Sequence, residues 1–246
     1  MNSLVCIAIT FSTAAFAYSL HKKRDTQNIK SLPSLEALIW FWALIGTYYF
    51  FEGVRMVSSY VGSLNQDVYL FDLASIPFVL ISVPLAYFII YIISGSKRTS
   101  LGVSLVFALF GAAYMALMYL SGITGPQISY WGSIYSINSN FALLIHLSGL
   151  YIVPTGMILG LMVLILFERV TKVKKYKVAM SLFSISFVSD FILLNSIVGT
   201  GEMQMASRIF VFIGTVLGFL AFFPPESLKA TLTPHFIPYA GEEEAF

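Results

Sequence analysis

The sequence predicts an all-α polytopic membrane protein: a bundle of seven transmembrane helices with its N-terminus outside and its C-terminus in the cytoplasm. Three observations carry that prediction. Hydrophobic residues make up 58% of the 246-residue chain and charged residues 11%, with a mean hydropathy of +0.83, far from the balance of a water-soluble domain. A bilayer span needs roughly 20 consecutive apolar helical residues, and seven such windows follow one another. Finally, the basic residues fall almost entirely on one side of the resulting bundle.

The windows run over about 3–20, 34–55, 68–94, 101–121, 140–167, 177–198 and 207–223. Each is continuous rather than alternating, which fits helices and not the strands of an outer-membrane barrel. In the first window "TAAFAYS" (13–19) has the small-residue spacing of a signal-peptidase site. No Lys or Arg precedes it and "HKKR" follows it at 21–24, the reverse of a secretory leader, so a retained first span is expected. With the N-terminus outside, the inner segments collect Lys22, Lys23, Arg24, Lys30, Lys97, Arg98, Arg169, Lys172, Lys174, Lys175, Lys177 and Lys229, and the outer ones keep only Arg55 and Arg208. That asymmetry sets the orientation and places the protein in the cell membrane.

The connections leave no room for a separate soluble domain, so residues 1–223 form one transmembrane domain and 224–246 a cytoplasmic tail. The longest outer connection, "SGITGPQISYWGSIYSINSN" (121–140), carries Tyr130, Trp131 and Tyr135 at headgroup height. It reads as an interfacial cap or as a lid over an outward-facing cavity. The basic loop "ERVTKVKKYK" (168–177) is a topology signal or an effector-docking site. In the tail, Pro224 and Pro225 end the last helix, Glu226 to Ala230 starts a short interfacial one, and "GEEEAF" is a disordered acidic end.

Inside the spans the packing signals are two GxxxG pairs, Gly156/Gly160 and Gly214/Gly218, which let helices approach closely within the bundle or at a homodimer face. Pro77, Pro84 and Pro154 should kink their helices and free carbonyls to line a cavity. The single cysteine, Cys6, excludes an intrachain disulfide.

The informative residues are the few ionisable ones at membrane depth. Counting 1.5 Å per residue from the window ends puts Glu52 and Asp72 roughly 5 Å deep, His146 and Asp190 roughly 10 Å, and Arg55 and Arg208 near the surface. These six are the candidate ligand-binding residues: a charge facing lipid costs at least ~2.5 kcal/mol, so they should face inward and find partners. Each also has a plain structural role. Glu52 and Arg55 in "YYFFEGVR" can pair along one helical face; Asp72 can cap the third span or answer Arg55; His146 can be a packing residue; Asp190 can bridge to Arg208. Asp190 is the expected centre of the site, since no basic residue lies near it in sequence.

Most specific chemistries fail by arithmetic. One intramembrane histidine does not supply the usual haem pair or a three-histidine zinc site, and no phosphate loop, GxSxG or HExxH occurs. No cofactor, metal or nucleic-acid partner is expected, and nothing demands an enzyme. The plan resembles microbial rhodopsins in span number and orientation, and "VYLFDLASIP" (68–77), with a Tyr eight residues before a Pro, is similar to their third helix. No apolar segment contains the lysine that retinal needs, so no functional residue carries over. The layout, with its exit "FFPPESLK", also resembles the seven-helix sensor modules that precede output domains in prokaryotic signalling proteins. That resemblance implies a ligand-biased bundle that signals, here through a separate protein partner or as a piece of a longer chain. The alternative expectation is an integral membrane subunit of a respiratory or transport complex, whose outer charges and GxxxG faces bind neighbouring subunits.

Overall fold

The computed structural model describes residues 2–26, 33–129, 132–167, 172–197 and 201–225. Helices α1 (Asn2–Thr26), α2 (Pro33–Tyr60), α3 (Leu64–Leu80), α4 (Ser82–Ser94) and α5 (Lys97–Ser121) precede a β-hairpin of β1 (Ile123–Ser129) and β2 (Gly132–Ile137). Then come α6 (Asn140–Ile145), a π-helical segment (His146–Ile152), α7 (Val153–Phe167), α8 (Lys172–Ile197) and α9 (Gly201–Phe222). Among the described residues six stretches are helical, long and apolar enough to cross a membrane: Asn2–Asp25, Pro33–Tyr60, Leu64–Ser94, Lys97–Ser121, Asn140–Ile165 and Gly201–Phe222. In α8 the described apolar stretch is shorter, Ala179–Ile192.

Local chemistry explains the joints. At the end of α2 the chain turns back through Gly62 at φ 82°, with the Gly62 N–H donated to Ser59 O (3.1 Å) and the Ser63 N–H to Ser58 O (2.9 Å). This is a Schellman ending, which needs a left-handed residue and satisfies carbonyls the helix leaves open. Between α4 and α5, Gly95 (φ 64°) closes one helix and the Ser96 side chain accepts from Thr99 N–H at 3.3 Å to open the next.

The expected proline effects are visible at Pro84 and Pro154, whereas Pro77 lies within the continuous helix α3. Pro84 has no N–H to give the carbonyl four residues back, and the helix breaks at Ile81 between α3 and α4. The Ser82 hydroxyl donates to Val79 O at 3.2 Å beside the break. Pro154 has the same effect on α7: the preceding turns widen to π geometry, and the Val153 N–H reaches Ser148 O five residues back.

Close approach of helices follows the small residues. A side chain on Gly214 would meet Val188 Cγ2 at 2.6 Å and one on Gly218 would meet Ser184 Oγ at 2.6 Å, and Ser184 donates to Gly214 O at 2.6 Å between α8 and α9. Gly46 likewise faces Thr13, and Gly53 faces Cys6, where α1 lies on α2. The second pair behaves otherwise: no described atom lies within 4 Å of a side chain built on Gly156 or Gly160, so that stripe faces away from the bundle. The core centres on α2, whose Phe41, Trp42, Ile45 and Tyr49 are buried with Phe16 of α1 and Ile185 and Val188 of α8.

The connection 121–140, expected as a cap or a lid, contains an antiparallel hairpin, with Ile123 paired to Ile137 and Ser129 to Gly132, which adds one small β element to the otherwise helical described residues. The helices also overrun the apolar windows: α2 continues to Tyr60 and α9 begins at Gly201. Hydropathy falls where polar residues begin, but the backbone stays helical, with Ser58, Ser59 and Gln204 buried and Glu202 exposed. Tyr130, Trp131, the loop 168–171 and the tail from 226 lie outside the described residues.

Candidate ligand cavity

Arg55 and Arg208, placed near the surface by counting from the window ends, are 4% and 0% exposed. Both donate from Nη2 to the same oxygen of Glu52, Oε2, at 2.9 Å each. Glu52 is itself 3% exposed. A second carboxylate completes the cluster: Asp67, fully buried, accepts from Ser133 Oγ at 3.0 Å and from Tyr135 OH at 2.8 Å, and Arg55 Nε lies 3.9 Å from its Oδ1. The four charges cancel, which is how buried ions are tolerated away from water. Arg55 also lies over the rings of Phe71 (5.5 Å) and Tyr135 (5.3 Å), which stack on each other at 4.6 Å.

Helical spacing assembles the cluster. Tyr48, Glu52 and Arg55 share one face of α2, Asp67, Phe71, Ala74, Ser75 and Phe78 one face of α3, and Gln204 and Arg208 one face of α9. All except Asp67 line a cavity of about 250 Å³. Tyr114 of α5 and Asn140 and Leu143 of α6 add to its wall, and Ser133 to Ile137 of the hairpin close it on one side. Tyr135 is the hinge of that closure: its hydroxyl pKa is pushed up, first by burial and then by the bond to Asp67.

The remaining sequence candidates lie elsewhere. His146 is 2% exposed and sits behind the wall, its ring 4.9 Å from Phe78, 5.0 Å from Tyr114 and 4.7 Å from Tyr151. Asp72, next to Phe71 but a hundred degrees round the helix, is half-buried and has no hydrogen-bond or ion-pair partner among the described residues. Asp190 is exposed on α8, where its carboxylate accepts from Thr155 Oγ1 (3.1 Å) and Ser186 Oγ (3.3 Å). It touches neither the cavity nor Arg208, whose carboxylate partner is Glu52.

Asp67, Ser133, Tyr135 and Gln204 were not among the sequence candidates. Asp67 was hidden because it precedes the third apolar window, yet its spacing to Phe71 and Phe78 was readable once the helix is started at Leu64. Among the described residues no three His, Cys, Asp or Glu side chains form a group that would hold a metal ion. No protein-family model, curated protein or solved structure matches the chain, so the geometry alone bears on function.

Proposed function

We propose that the protein is a seven-helix sensor of the cell membrane, N-terminus outside, whose ligand binds in the cavity beneath the hairpin and whose response passes to a separate protein partner. The observation that carries this reading is the cavity itself: buried charges from α2 and α9, aromatic walls and a hairpin cover converge on one concave space. α8, 26 residues long, serves as the seventh span. The orientation rests on charge. Arg55 and Arg208 are inside the bundle, so they do not offset the basic residues Lys22, Lys23, Lys97 and Arg98 at the opposite end. Occupancy would bias helices already broken at Ile81 and widened at His146–Ile152, and so the far ends of the bundle.

The test needs no ligand. Ala74, 2% exposed, lines the cavity, and Ala74→Trp fills it with an indole. Spin labels at Asp25→Cys and Phe167→Cys report the far ends of α1 and α7; the native thiol of Cys6 is buried. A changed distance distribution in Ala74→Trp supports the reading, and an unchanged one in a folded variant removes it.

A second reading is favoured by one different observation. Asp190 and the Gly156/Gly160 stripe lie on exposed faces of neighbouring α8 and α7, as they would in a subunit of a larger membrane complex.

A further inference from the structure

We infer that the cavity takes a small monocarboxylate with an apolar, aromatic body; this rests on the reading above that the cavity is the ligand site. The hydrogen-bonding groups around it do not balance. Both oxygens of Asp67 are engaged, and Glu52 Oε2 accepts from two guanidinium groups. Yet Nε and Nη1 of both Arg55 and Arg208 have no hydrogen-bond acceptor among the described residues. A guanidinium has only donors and keeps its charge, so the shortage is of acceptor oxygens, and a fitting ligand supplies them.

Charge then chooses among oxyanions. Glu52, Asp67, Arg55 and Arg208 sum to zero, so a monoanion adds one charge, set against four guanidinium nitrogens that lack a described acceptor, and a phosphate dianion adds two. The planar fork of a guanidinium also matches a carboxylate edge to edge. Phe71, Phe78 and Tyr114 make one part of the wall aromatic, which suits a flat apolar body, beside the polar Ser75, Asn140 and Gln204. At about 250 Å³ the space is a little below the usual ~300–1,000 Å³ of small-molecule pockets, which admits a single ring and excludes a long acyl chain.

The full chain in lipid nanodiscs is titrated with benzoate, benzamide, inorganic phosphate and palmitate, with binding read by ligand-observed NMR and by the shift in unfolding temperature. Benzoate is expected to bind saturably, at least ten-fold more tightly than neutral benzamide or phosphate, and to be lost in Ala74→Trp. Arg208→Lys keeps the charge but not the fork and should weaken benzoate about ten-fold; it guards against misfolding of Arg208→Gln. Equal binding of benzamide, preference for phosphate, or palmitate competing as strongly as benzoate overturns the carboxylate class while leaving the cavity a ligand site. Benzoate binding that survives Ala74→Trp, or no binding by any probe, also overturns it. The cavity reading itself falls separately, by the label distances of Ala74→Trp.

Discussion

Glu52 and Arg208 stand 156 positions apart in the sequence and meet at 2.9 Å in the interior, joining the second helix to the last. Removing one partner from such a pair leaves the other buried and uncompensated, which costs about 3–5 kcal/mol. Glu52→Gln takes the shared carboxylate from two guanidinium groups, of which Arg55 keeps Asp67 at 3.9 Å, and should lie at the upper end. Arg208→Gln, with Arg55 still paired to Glu52, should lie at the lower end. The double variant should recover part of the sum, giving a coupling of about 1–3 kcal/mol in a denaturant cycle in detergent. Additive losses would show that the pair is not energetically joined.

The hairpin is held by hydroxyls on Asp67. Tyr135→Phe removes one charge-assisted bond, worth about 1.5–3 kcal/mol. Hydrogen exchange should speed up across Ile123–Ile137 and leave α1 and α2 protected; uniform change throughout the protein would mean the bond does not govern the hairpin alone.

The same tyrosine gives a pH dependence. Its pKa is raised in the folded state, so the docked hairpin binds the proton more tightly than the undocked one. Docking is therefore complete below the ordinary tyrosine value of about 10 and weakens as pH rises beyond it. Hairpin exchange, corrected for intrinsic rates, should follow that direction in the wild type and lose it in Tyr135→Phe.

The two GxxxG pairs should respond in opposite ways. Gly214→Ala drives a methyl into Val188 and should cost about 1–3 kcal/mol. Gly160→Ala meets no described atom within 4 Å and should be neutral or stabilise by up to about 1 kcal/mol through helix propensity. Thermal unfolding of the purified protein separates them.

Asp190→Asn keeps an acceptor for Thr155 and Ser186 and lies off the cavity. Benzoate affinity should stay within two-fold of wild type. A larger loss would place Asp190 in the ligand site after all.

Much of the helical plan was legible because apolar runs of membrane length have few alternatives. The direction of the polar residues was not. Asp72 and Asp190 point away from the cavity that Glu52 lines, since direction depends on which neighbour each helix packs against, and that is set by contacts such as Gly214 on Val188 rather than by composition. Asp67 was missed for another reason: a polar residue in the first turn of α3 lowers hydropathy and makes the helix look begun one turn late. Pairing of β1 with β2 was masked by the Gly- and Ser-rich composition of 121–140, which suits a loop equally well.

The π-helical segment His146–Ile152 sets the rotational phase of everything after it. Each residue of an α-helix turns the chain by about 100°, and a widened turn absorbs residues without the matching rotation. At its start the chain presents Ala142 and His146 to the interior; beyond it Gly156 and Gly160 look outward. Straightening the segment to regular pitch with every residue kept would turn the glycine stripe by about 100° for each absorbed residue, whereas deleting an absorbed residue would leave its direction unchanged. The outward face of α7 is thus encoded less by its glycines than by the irregular turns in front of Pro154.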